Sequence, residues 1–398
     1  MVVTTRSTGR YDRITVGDEE VAAFVPHPLP PADPELLFDA TLADRLRAAE
    51  HALTRLALAG EMVPSLDWFI YAFVRKEAVL SSQIEGTQAT LVDLLTFEAE
   101  SSVAPNADVE EVCNYLEALA YARGQLSDPT GLPLSMRLLN ETHRRLMRGV
   151  RGAERVPGEV RRSQNWIGGT RPGNALYVPP PPRLLADVLS AFEQYLHAKD
   201  STLPLLVRAG LLHVQFETIH PYLDGNGRIG RLLITLLLEH WNVLPKPLLY
   251  LSLFFKRHRD DYYRRLNAVR LDGDWEGWTN FFLEGVATIA DEAVASARDL
   301  FALVIADRVR VLQNDTTSVA AARLFELLPR HPLVSVASAM KLLETSKPTA
   351  ARAIDTLTKA GVLIETTGKK RDRHYAYQEY LERLRVGTDL EVRRRSTR

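Results

Sequence analysis

The groups best suited to chemistry in this chain lie in twelve consecutive residues, 220–231, which read HPYLDGNGRIGR. His220 can exchange a proton near neutral pH, because imidazole titrates close to that range. Asp224 supplies a hard carboxylate oxygen of the kind that binds Mg²⁺ or Mn²⁺. Arg228 and Arg231 supply planar guanidinium groups that match phosphate oxygens. A base, a metal ligand and phosphate-binding cations in one segment predict phosphoryl or nucleotidyl transfer.

The elements on either side of this segment must bring those groups together. Apolar runs flank it, LLHVQF before and LLITLLLEHW after, and both indicate helices buried in a core. Gly225 and Gly227 leave backbone N–H groups uncovered, and the second helix points its positive N-terminal end at the same loop. The loop is therefore predicted to bind an anion. The competing interpretation is a glycine-rich turn with solvated charges, which requires several polar groups to gather at one buried loop by chance.

The composition bounds the class of protein. The chain has 398 residues, 46% of them hydrophobic, which is enough for two or three domains. Its 49 basic and 50 acidic residues nearly cancel, so no global charge points to nucleic acid or to a membrane. A single cysteine, Cys113, excludes an internal disulfide framework and fits a reducing cytoplasm. Neither a signal segment nor an apolar stretch of membrane-spanning length is found, so we expect a cytoplasmic protein without a membrane partner.

The N-terminal part is expected to be extended rather than helical. Residues 1 to about 20 are polar and predicted to be loosely held, apart from a short strand at 11–16. Residues 24–31 read FVPHPLPP and cannot be helical, because each proline removes a donor and favours extended geometry before it. They predict an extended strap laid over another surface, with a simple linker as the alternative.

A helix predicted from about residue 65 to residue 86 ends on an electrostatic anomaly. Its last six residues are SSQIEG, which puts Glu85 at the negative end of the helix dipole. This placement costs roughly 0.3–1 kcal/mol. A compensating partner is therefore expected, and an arginine from elsewhere in the chain is the natural one. The alternative is a solvated glutamate in a loop.

Residues 157–182 interrupt the helical pattern with PGEVRRSQNWIGGTRPGNALYVPPPP. The glycine and Pro-Gly-Asn turns between short runs predict a hairpin, and the prolines at its end cannot join a paired strand. An exposed hairpin can offer its main chain to an extended peptide. The expected docking edge comprises Ile167, Gly168, Gly169 and Thr170. The alternative is a surface β-excursion without a partner.

Residues 247–286 are predicted to be helical and are rich in aromatic side chains, most of which are expected in the core. Tyr262 and Tyr263 lie between charged residues. We therefore consider them as contacts for an adenine ring, with a structural role as the simpler alternative. A long helix is expected to follow at about 286–313.

The last hundred residues have a different pattern. Three short helical segments precede two strands around a basic turn, which is the element order of a winged helix-turn-helix. The helix at about 346–360 would face a DNA major groove, and the basic turn would contact phosphates. The basic residues of this turn are Lys369, Lys370, Arg371 and Arg373. The alternative is a winged helix used for dimerisation or protein contacts, and residues 392–398 are expected to form a disordered tail.

The segment HPYLDGNGRIGR resembles the signature of the Fic family, HPFx[D/E]GNGRxxR, with Tyr222 in place of phenylalanine. The stretches PLPP, SSQIEGT, PGEVRRSQNWIGG with YVPPPP, and GDWEGW are similar to multidomain bacterial Fic proteins. The resemblance implies a mainly α fold, with a Fic-type helical core, a small β-hairpin flap and a C-terminal winged helix-turn-helix domain. It implies an N-terminal Fic-associated region at 1–110 with the inhibitory helix, a catalytic domain at 111–300, and the winged helix with its tail at 301–398.

By this resemblance the protein is an adenylyltransferase. It would move AMP from ATP to a Ser, Thr or Tyr hydroxyl of a target protein or of itself and release pyrophosphate. His220 would be the general base, Asp224 would hold Mg²⁺ or Mn²⁺, and Arg231 would bind the γ-phosphate. Further ATP and phosphate contacts would come from Gly225, Asn226, Gly227, Arg228, Ile229 and Gly230. The intact GNGR sequence favours AMP transfer over the kinase-like Doc branch.

The resemblance also implies regulation. The inhibitory motif [S/T]xxxE[G/N] is met by Ser81, Glu85 and Gly86. Glu85 would pair with Arg231 and occupy the space of the γ-phosphate. A homodimer is implied by the resemblance alone. The alternative function is a DNA-binding regulator or toxin–antitoxin-like component whose Fic core acts mainly as a nucleotide-sensing module.

Overall fold

The protein is mainly helical, as the sequence predicts, and the strands of its described residues form two small sheets. A computed structural model describes residues 6–62, 66–99, 105–150, 155–313, 317–368 and 372–390. In chain order the elements are β1 Gly9–Val16, β2 Glu19–Pro26, α1 Ala40–Met62, α2 Leu66–Ile84, α3 Leu91–Ala99, α4 Ala107–Ser127, α5 Met136–Leu146, α6 Leu185–Leu196, α7 Leu205–Ile219, α8 Asn226–His240, α9 Ser252–Arg257, α10 Arg259–Asp272, α11 Trp275–Leu312, α12 Val319–Leu327, β3 Leu333–Ser335, α13 Val336–Leu343, α14 Lys347–Lys359, β4 Ile364–Glu365, β5 His374–Ala376 and α15 Gln378–Leu384.

Helices α7 and α8 form the buried centre of the protein. Every residue of α7 from Leu206 to Ile219 is buried, and so are the apolar positions of the first three turns of α8. A helix that is covered on all sides belongs in a core. The two helices pack against each other, so residues 220–225 are held at both ends by fixed elements.

Helix α11 is one uninterrupted helix of 38 residues. The Asp274 side chain caps its start by accepting the Gly277 N–H. Helices α1, α7, α10 and α15 pack along α11. The sequence predicted a separate helix from about residue 286, and α11 instead begins at Trp275 and runs past residue 300, so no break marks the predicted domain boundary there. None of the helices in the described ranges is long and apolar enough to cross a membrane.

The N-terminal segment forms an antiparallel hairpin of β1 and β2. The sequence predicts that residues 9–10 and 17–20 are loosely held. In the structure they belong to the hairpin, because β1 pairs with β2 along its whole length. The Phe24 N–H donates to Val178 O at 2.9 Å, which attaches the hairpin to the segment after the predicted flap. The predicted strap is thus the second strand of a hairpin up to Pro26.

The C-terminal part consists of α12, α13 and α14 with an antiparallel sheet in the order β3-β5-β4. The three helices and the last two strands follow the predicted order, and β3 is an additional strand that the sequence did not indicate. The basic turn residues Lys369, Lys370 and Arg371, and the tail at 392–398, lie outside the described residues. The winged-helix assignment stays a prediction.

Candidate active site

The loop between α7 and α8 reverses the chain through two left-handed residues. His220 ends α7 with φ 51° and ψ 60°, and its N–H still donates to Phe216 O at 2.9 Å. Gly225 precedes α8 with φ 75°, and a Cβ there would lie 2.9 Å from Met147 Sδ. The left-handed conformation costs a residue with a side chain roughly 1–2 kcal/mol. The surrounding structure therefore imposes the conformation of His220.

The Asn226 side chain holds this loop in shape. Its Oδ1 accepts the Tyr222 N–H at 2.8 Å, and its Nδ2 donates to Tyr222 O at 2.8 Å. The Tyr222 ring stacks on His143 with centroids 3.9 Å apart, and its hydroxyl donates to Asn140 Oδ1 at 2.8 Å. The Asn226 amide thus uses its oxygen and one of its two N–H donors to hold the loop. The predicted anion contact from this residue can come from the second N–H of the amide or from its main chain.

The first turn of α8 offers an anion site. The N–H groups of Asn226, Gly227 and Arg228 have no partner within the helix, because an α-helix leaves its first N–H groups unsatisfied. These groups carry the positive end of the helix dipole. Gly225 already donates its N–H to Asp224 Oδ1 at 2.7 Å. The predicted phosphate site is therefore narrowed to three main-chain donors.

Two residues predicted to bind phosphate belong instead to the core. The Ile229 side chain is fully buried, and its N–H donates to Gly225 O at 3.1 Å. Gly230 faces the interior, where its carbonyl lies 2.8 Å from His213 Nδ1 and a Cβ would lie 2.3 Å from Glu217 Oε1. The helical turn at this point faces α7 rather than the loop, and the phosphate contacts of these two residues stay predictions.

Arg231 binds the end of α2. Its Nη2 lies 2.6 Å from Glu85 Oε1 and donates to Ser81 O at 2.9 Å, and its Nε donates to Ser81 Oγ at 2.9 Å. Arg231 is only 2% exposed, whereas the Glu85 side chain is 35% exposed. Burial alone would raise the pKa of Glu85, but the Arg231 guanidinium outweighs burial and holds that pKa below its usual value. The structure thus pairs Glu85 with an arginine from elsewhere in the chain.

The Glu85 carboxylate lies directly against the anion site. A Cβ added to Gly227 would be 2.2 Å from Glu85 Oε1. A carboxylate at a helix N-terminus is favoured by the same dipole that would favour a phosphate. Glu85 therefore places its own negative charge at the first turn of α8, and its inhibitory role stays a prediction.

The turn after Glu85 is held from two directions. Gly86 has φ 102°, which favours glycine, and Thr87 donates its hydroxyl to Glu111 Oε2 at 2.7 Å. On the other side, Gln83 Nε2 donates to Thr388 O at 2.8 Å. Glu111 and Thr388 carried no signal in the sequence, since each reaches the turn only through tertiary packing.

His220 is neutral at neutral pH. Burial lowers the pKa of its imidazole to about 4, and the nearby Arg161 guanidinium acts in the same direction. A neutral imidazole can accept a proton from an incoming hydroxyl group. Sequence reasoning missed Arg161, because it lies in a run of polar residues with no spacing that points to His220.

Asp224 is placed where a metal ion could reach it. Its side chain is about one-third exposed, Oδ1 lies 4.0 Å from Arg228 Nη2, and Oδ2 lies 3.4 Å from Arg155 Nη1. Among the described residues, no group of three or more His, Cys, Asp or Glu side chains could hold a metal ion. A single carboxylate fits Mg²⁺, which usually binds one or two carboxylates together with substrate phosphates and water.

Arg228 is buried beside a carboxylate that the sequence did not single out. Its Nη1 lies 3.5 Å from Glu111 Oε2, and its Nη2 lies 3.4 Å from Met147 Sδ. The negative charge of Glu111 therefore partly neutralises the Arg228 guanidinium, which weakens the attraction of Arg228 for a phosphate. The same Glu111 accepts the Thr87 hydroxyl, so it contacts both the predicted phosphate site and the turn after Glu85.

The two tyrosines proposed for adenine differ in position. Tyr262 is 1% exposed, and its hydroxyl lies 2.9 Å from His213 Nε2. This burial corrects the prediction of an adenine contact for Tyr262, which is a core residue. Tyr263 is 39% exposed, with the Arg259 guanidinium 5.4 Å from its ring centroid. The adenine prediction is kept only for Tyr263.

The predicted flap is a loop closed by one isolated antiparallel bridge between Ile167 and Tyr177. Ile167 and Tyr177 exchange main-chain hydrogen bonds of 2.8 and 3.1 Å. Gly168, Gly169 and Thr170 are exposed beyond the bridge, and both glycines have positive φ. The hairpin is thus shorter than expected, and the docking edge stays a prediction.

Two segments of this chain match known protein families, and the chain is similar in sequence to curated proteins. Residues 43–123 match the profile described as Fic/DOC family N-terminal, and residues 133–238 match the Fic/DOC family profile. The protein adenylyltransferase Fic of Culex quinquefasciatus is 34% identical over 152 residues, which cover 38% of this chain and 27% of that protein. The protein of the same name from Drosophila melanogaster is 28% identical over 221 residues, 54% of this chain and 41% of that protein. The chain thus spans less than half the length of these relatives.

Solved structures share the fold. A Fic family protein from Desulfovibrio desulfuricans G20 has a TM-score of 0.56 at 19% identity and covers 86% of this chain and 97% of that chain. A Fic domain containing signaling protein from Bacteroides thetaiotaomicron has a TM-score of 0.52 at 19% identity, covering 63% of this chain and 95% of that chain. At such identities the likeness concerns the fold alone. The two profile matches span the helices that hold Glu85 and Arg231, so the chain contains a Fic/DOC family N-terminal domain and a Fic/DOC family domain.

Proposed function

We propose that this protein is an adenylyltransferase that moves AMP from ATP to a Ser, Thr or Tyr hydroxyl of a target protein or of itself. The observation that carries the proposal is the arrangement of the loop at 220–225. A neutral His220 lies at its start, and the N–H groups of the first turn of α8 follow its end. The relatives named protein adenylyltransferase Fic support the same reaction.

In this reaction His220 accepts the proton of the target hydroxyl. The hydroxyl oxygen then forms a bond to the α-phosphorus of ATP, and the bond from that phosphorus to the bridging oxygen of pyrophosphate breaks. The free N–H groups at the start of α8 stabilise the negative charge that develops on the phosphate oxygens. Arg231 binds the terminal phosphate. Asp224 would hold Mg²⁺, which neutralises phosphate charge when bound.

The proposal includes inhibition by the chain itself. The Glu85 carboxylate lies against Gly227 and pairs with Arg231, so it excludes a phosphate from the place where both groups would bind it. ATP must then either displace Glu85 or bind in a pose that does not react. Transfer is therefore slow until the contact between Glu85 and Arg231 is broken.

The position of the label in ATP tests the reaction type. The Glu85→Gly variant is incubated with Mg²⁺ and ATP labelled on either the α- or the γ-phosphate. Adenylyl transfer attaches the α-label to protein and leaves the γ-label in solution, whereas a kinase does the reverse. A His220→Ala control in the same background shows whether labelling depends on the base. Attachment of the γ-label alone would contradict the proposal.

Several further assignments belong to the same proposal. The target peptide docks along residues 167–170. The chain divides into the units 1–110, 111–300 and 301–398, with the second boundary inside α11. The single cysteine, Cys113, fits a cytoplasmic protein. The alternative of a DNA-binding regulator with a nucleotide-sensing core is disfavoured, because a pure binding module needs neither His220 nor Asp224.

A further inference from the structure

Arg161 joins the loop that carries His220 to the flap arm, which consists of the residues on either side of the bridge between Ile167 and Tyr177. It is 4% exposed, and its Nε donates to His220 O at 3.0 Å. Its Nη2 donates to Pro180 O at 2.6 Å, and its Nη1 donates to Ser163 O at 3.3 Å. Its own main-chain N–H donates to Pro221 O at 2.9 Å. One residue thus bonds the loop by side chain and main chain together.

The surroundings of this guanidinium are unusual for a buried cation. In the described part of the chain, its side-chain hydrogen bonds all go to main-chain carbonyls and none to a carboxylate. Burial lowers the pKa of Arg161 to about 10, which reflects the cost of keeping the charge there. A buried charge is costly unless hydrogen bonds satisfy it. This arrangement therefore depends on all three carbonyls being in place.

The His220 carbonyl needs such a donor. It lies at the end of α7, where the last carbonyls of a helix have no partner within the helix. His220 is also in the left-handed conformation, which persists only when surrounding contacts determine it. The Arg161 fork supplies one of these contacts, and it links the same carbonyl to the proline segment of the flap.

We propose that Arg161 is a positioning residue for His220, holding its main chain and the flap arm in one register while its charge favours the neutral imidazole. The proposal rests on the proposed function, in which His220 takes the proton of the target hydroxyl. It assigns two separable tasks to one side chain. The fork geometry positions the base, and the positive charge disfavours protonation of its ring before the target hydroxyl arrives.

Charged and polar groups from several elements act on the His220 ring. After burial, Arg161 is the largest influence, and Arg270 of α10 acts in the same direction to lower the pKa of the imidazole. The Glu217 main chain on α7 and the Glu85 carboxylate raise that pKa. Removing the Arg161 charge therefore shifts the balance toward a protonated ring.

Two substitutions separate the two tasks. Arg161→Lys keeps the charge, but one ammonium group cannot reproduce a planar fork that reaches three carbonyls. Arg161→Gln removes the charge and keeps one donor group. Arg162→Gln is the matched control, because it removes the same charge from the next residue, whose side chain is exposed.

The first measurement is an NMR titration of the His220 imidazole in the full chain, with the signal assigned through His220→Ala. We expect a pKa of about 4 in the unaltered chain and in Arg162→Gln. Arg161→Gln is expected to raise it by about one pH unit, and Arg161→Lys to leave it nearly unchanged. Loss of packing alone would not separate the lysine from the glutamine variant in this way.

The second measurement is AMP transfer in the Glu85→Gly background. Both Arg161 variants are expected to lower kcat by about 10- to 100-fold, because a small misplacement of a catalytic group is that costly. The Kd for ATP is expected to stay within about twofold, since Arg161 does not line the anion site on α8. Melting temperatures confirm that each variant is folded.

Each result decides the proposal. An unmoved His220 pKa in Arg161→Gln overturns the electrostatic task, and an unchanged kcat in Arg161→Lys overturns the positioning task. If Arg161→Gln does not fold, the lysine variant alone decides, and full activity there overturns the proposal. If Glu85→Gly transfers no AMP, the proposed function fails, while the titration still tests the action of Arg161 on His220.

Discussion

Replacing Glu85 with glycine is expected to activate AMP transfer. The substitution removes the carboxylate that lies 2.6 Å from Arg231 Nη2 and against Gly227. Arg231 keeps its bonds to Ser81 Oγ and Ser81 O, so the guanidinium stays in place. A phosphate then meets the Arg231 cation and the N–H groups of Asn226, Gly227 and Arg228, from which the Glu85 carboxylate has been removed.

The size of the effect follows from the ion pair. A hydrogen bond between charged groups contributes about 1.5–3 kcal/mol. Because the Glu85 side chain is 35% exposed, solvent screening favours the lower part of this range. Each 1.4 kcal/mol corresponds to a factor of ten, so the lower part of this range, about 1.5–2 kcal/mol, predicts that transfer at subsaturating ATP rises by about 10- to 30-fold.

The assay follows label from α-labelled ATP on the protein over time. Glu85→Gln is the matched control, because it keeps the shape of the side chain and removes only the charge, and it is expected to show a smaller gain. Without nucleotide, Glu85→Gly is expected to melt at a lower temperature, since a buried guanidinium has lost its partner. ATP is then expected to raise the melting temperature of this variant more than that of the unaltered chain.

Two results would refute this reasoning. One is an unchanged rate of labelling in Glu85→Gly, with ATP giving the same thermal shift as in the unaltered chain. The other is an equal gain in Glu85→Gln and Glu85→Gly, which would mean that the charge on the carboxylate is irrelevant.

Three other predictions concern single residues. His220→Ala is expected to lower transfer by at least about 100-fold while ATP binding is kept, and persistent labelling would exclude this base. Burial raises the pKa of Glu77 from 4.5 to about 7, so its contribution to stability is present below 4.5 and lost as the pH rises through 7. The unfolding free energy is therefore expected to fall by up to about 3 kcal/mol between pH 5 and 8 through Glu77, and Glu77→Gln is expected to remove this fall. Melting temperatures across this pH range measure it, and an unchanged slope in Glu77→Gln would contradict it. Tyr262→Phe is expected to cost about 1 kcal/mol of stability through its lost bond to His213, with ATP affinity unchanged, whereas Tyr263→Ala is expected to weaken ATP binding. The reverse pattern, in melting curves and ATP titrations, would return the adenine contact to Tyr262.

Local pattern was sufficient for the helical class and for the loop at 220–231. Apolar runs predict buried helices because apolar side chains are more stable away from water. The buried helices α7 and α8 confirm this prediction on both sides of the loop. The anomaly at Glu85 also predicted the kind of partner it would have, since a carboxylate at a helix C-terminus needs a cation. The structure supplies that partner as Arg231.

Tertiary packing decided what sequence spacing could not. The contacts of Arg161 with His220 and of Glu111 with Arg228 join residues 59 and 117 positions apart. Tyr262 and Tyr263 are neighbours in similar sequence surroundings, yet only the first faces the core. The sequence by itself determined the periodicity of the helices and the chemistry of the loop, because both depend on adjacent residues. Which side chains meet across helices depends on how the buried faces pack, and that is settled only when the whole core forms.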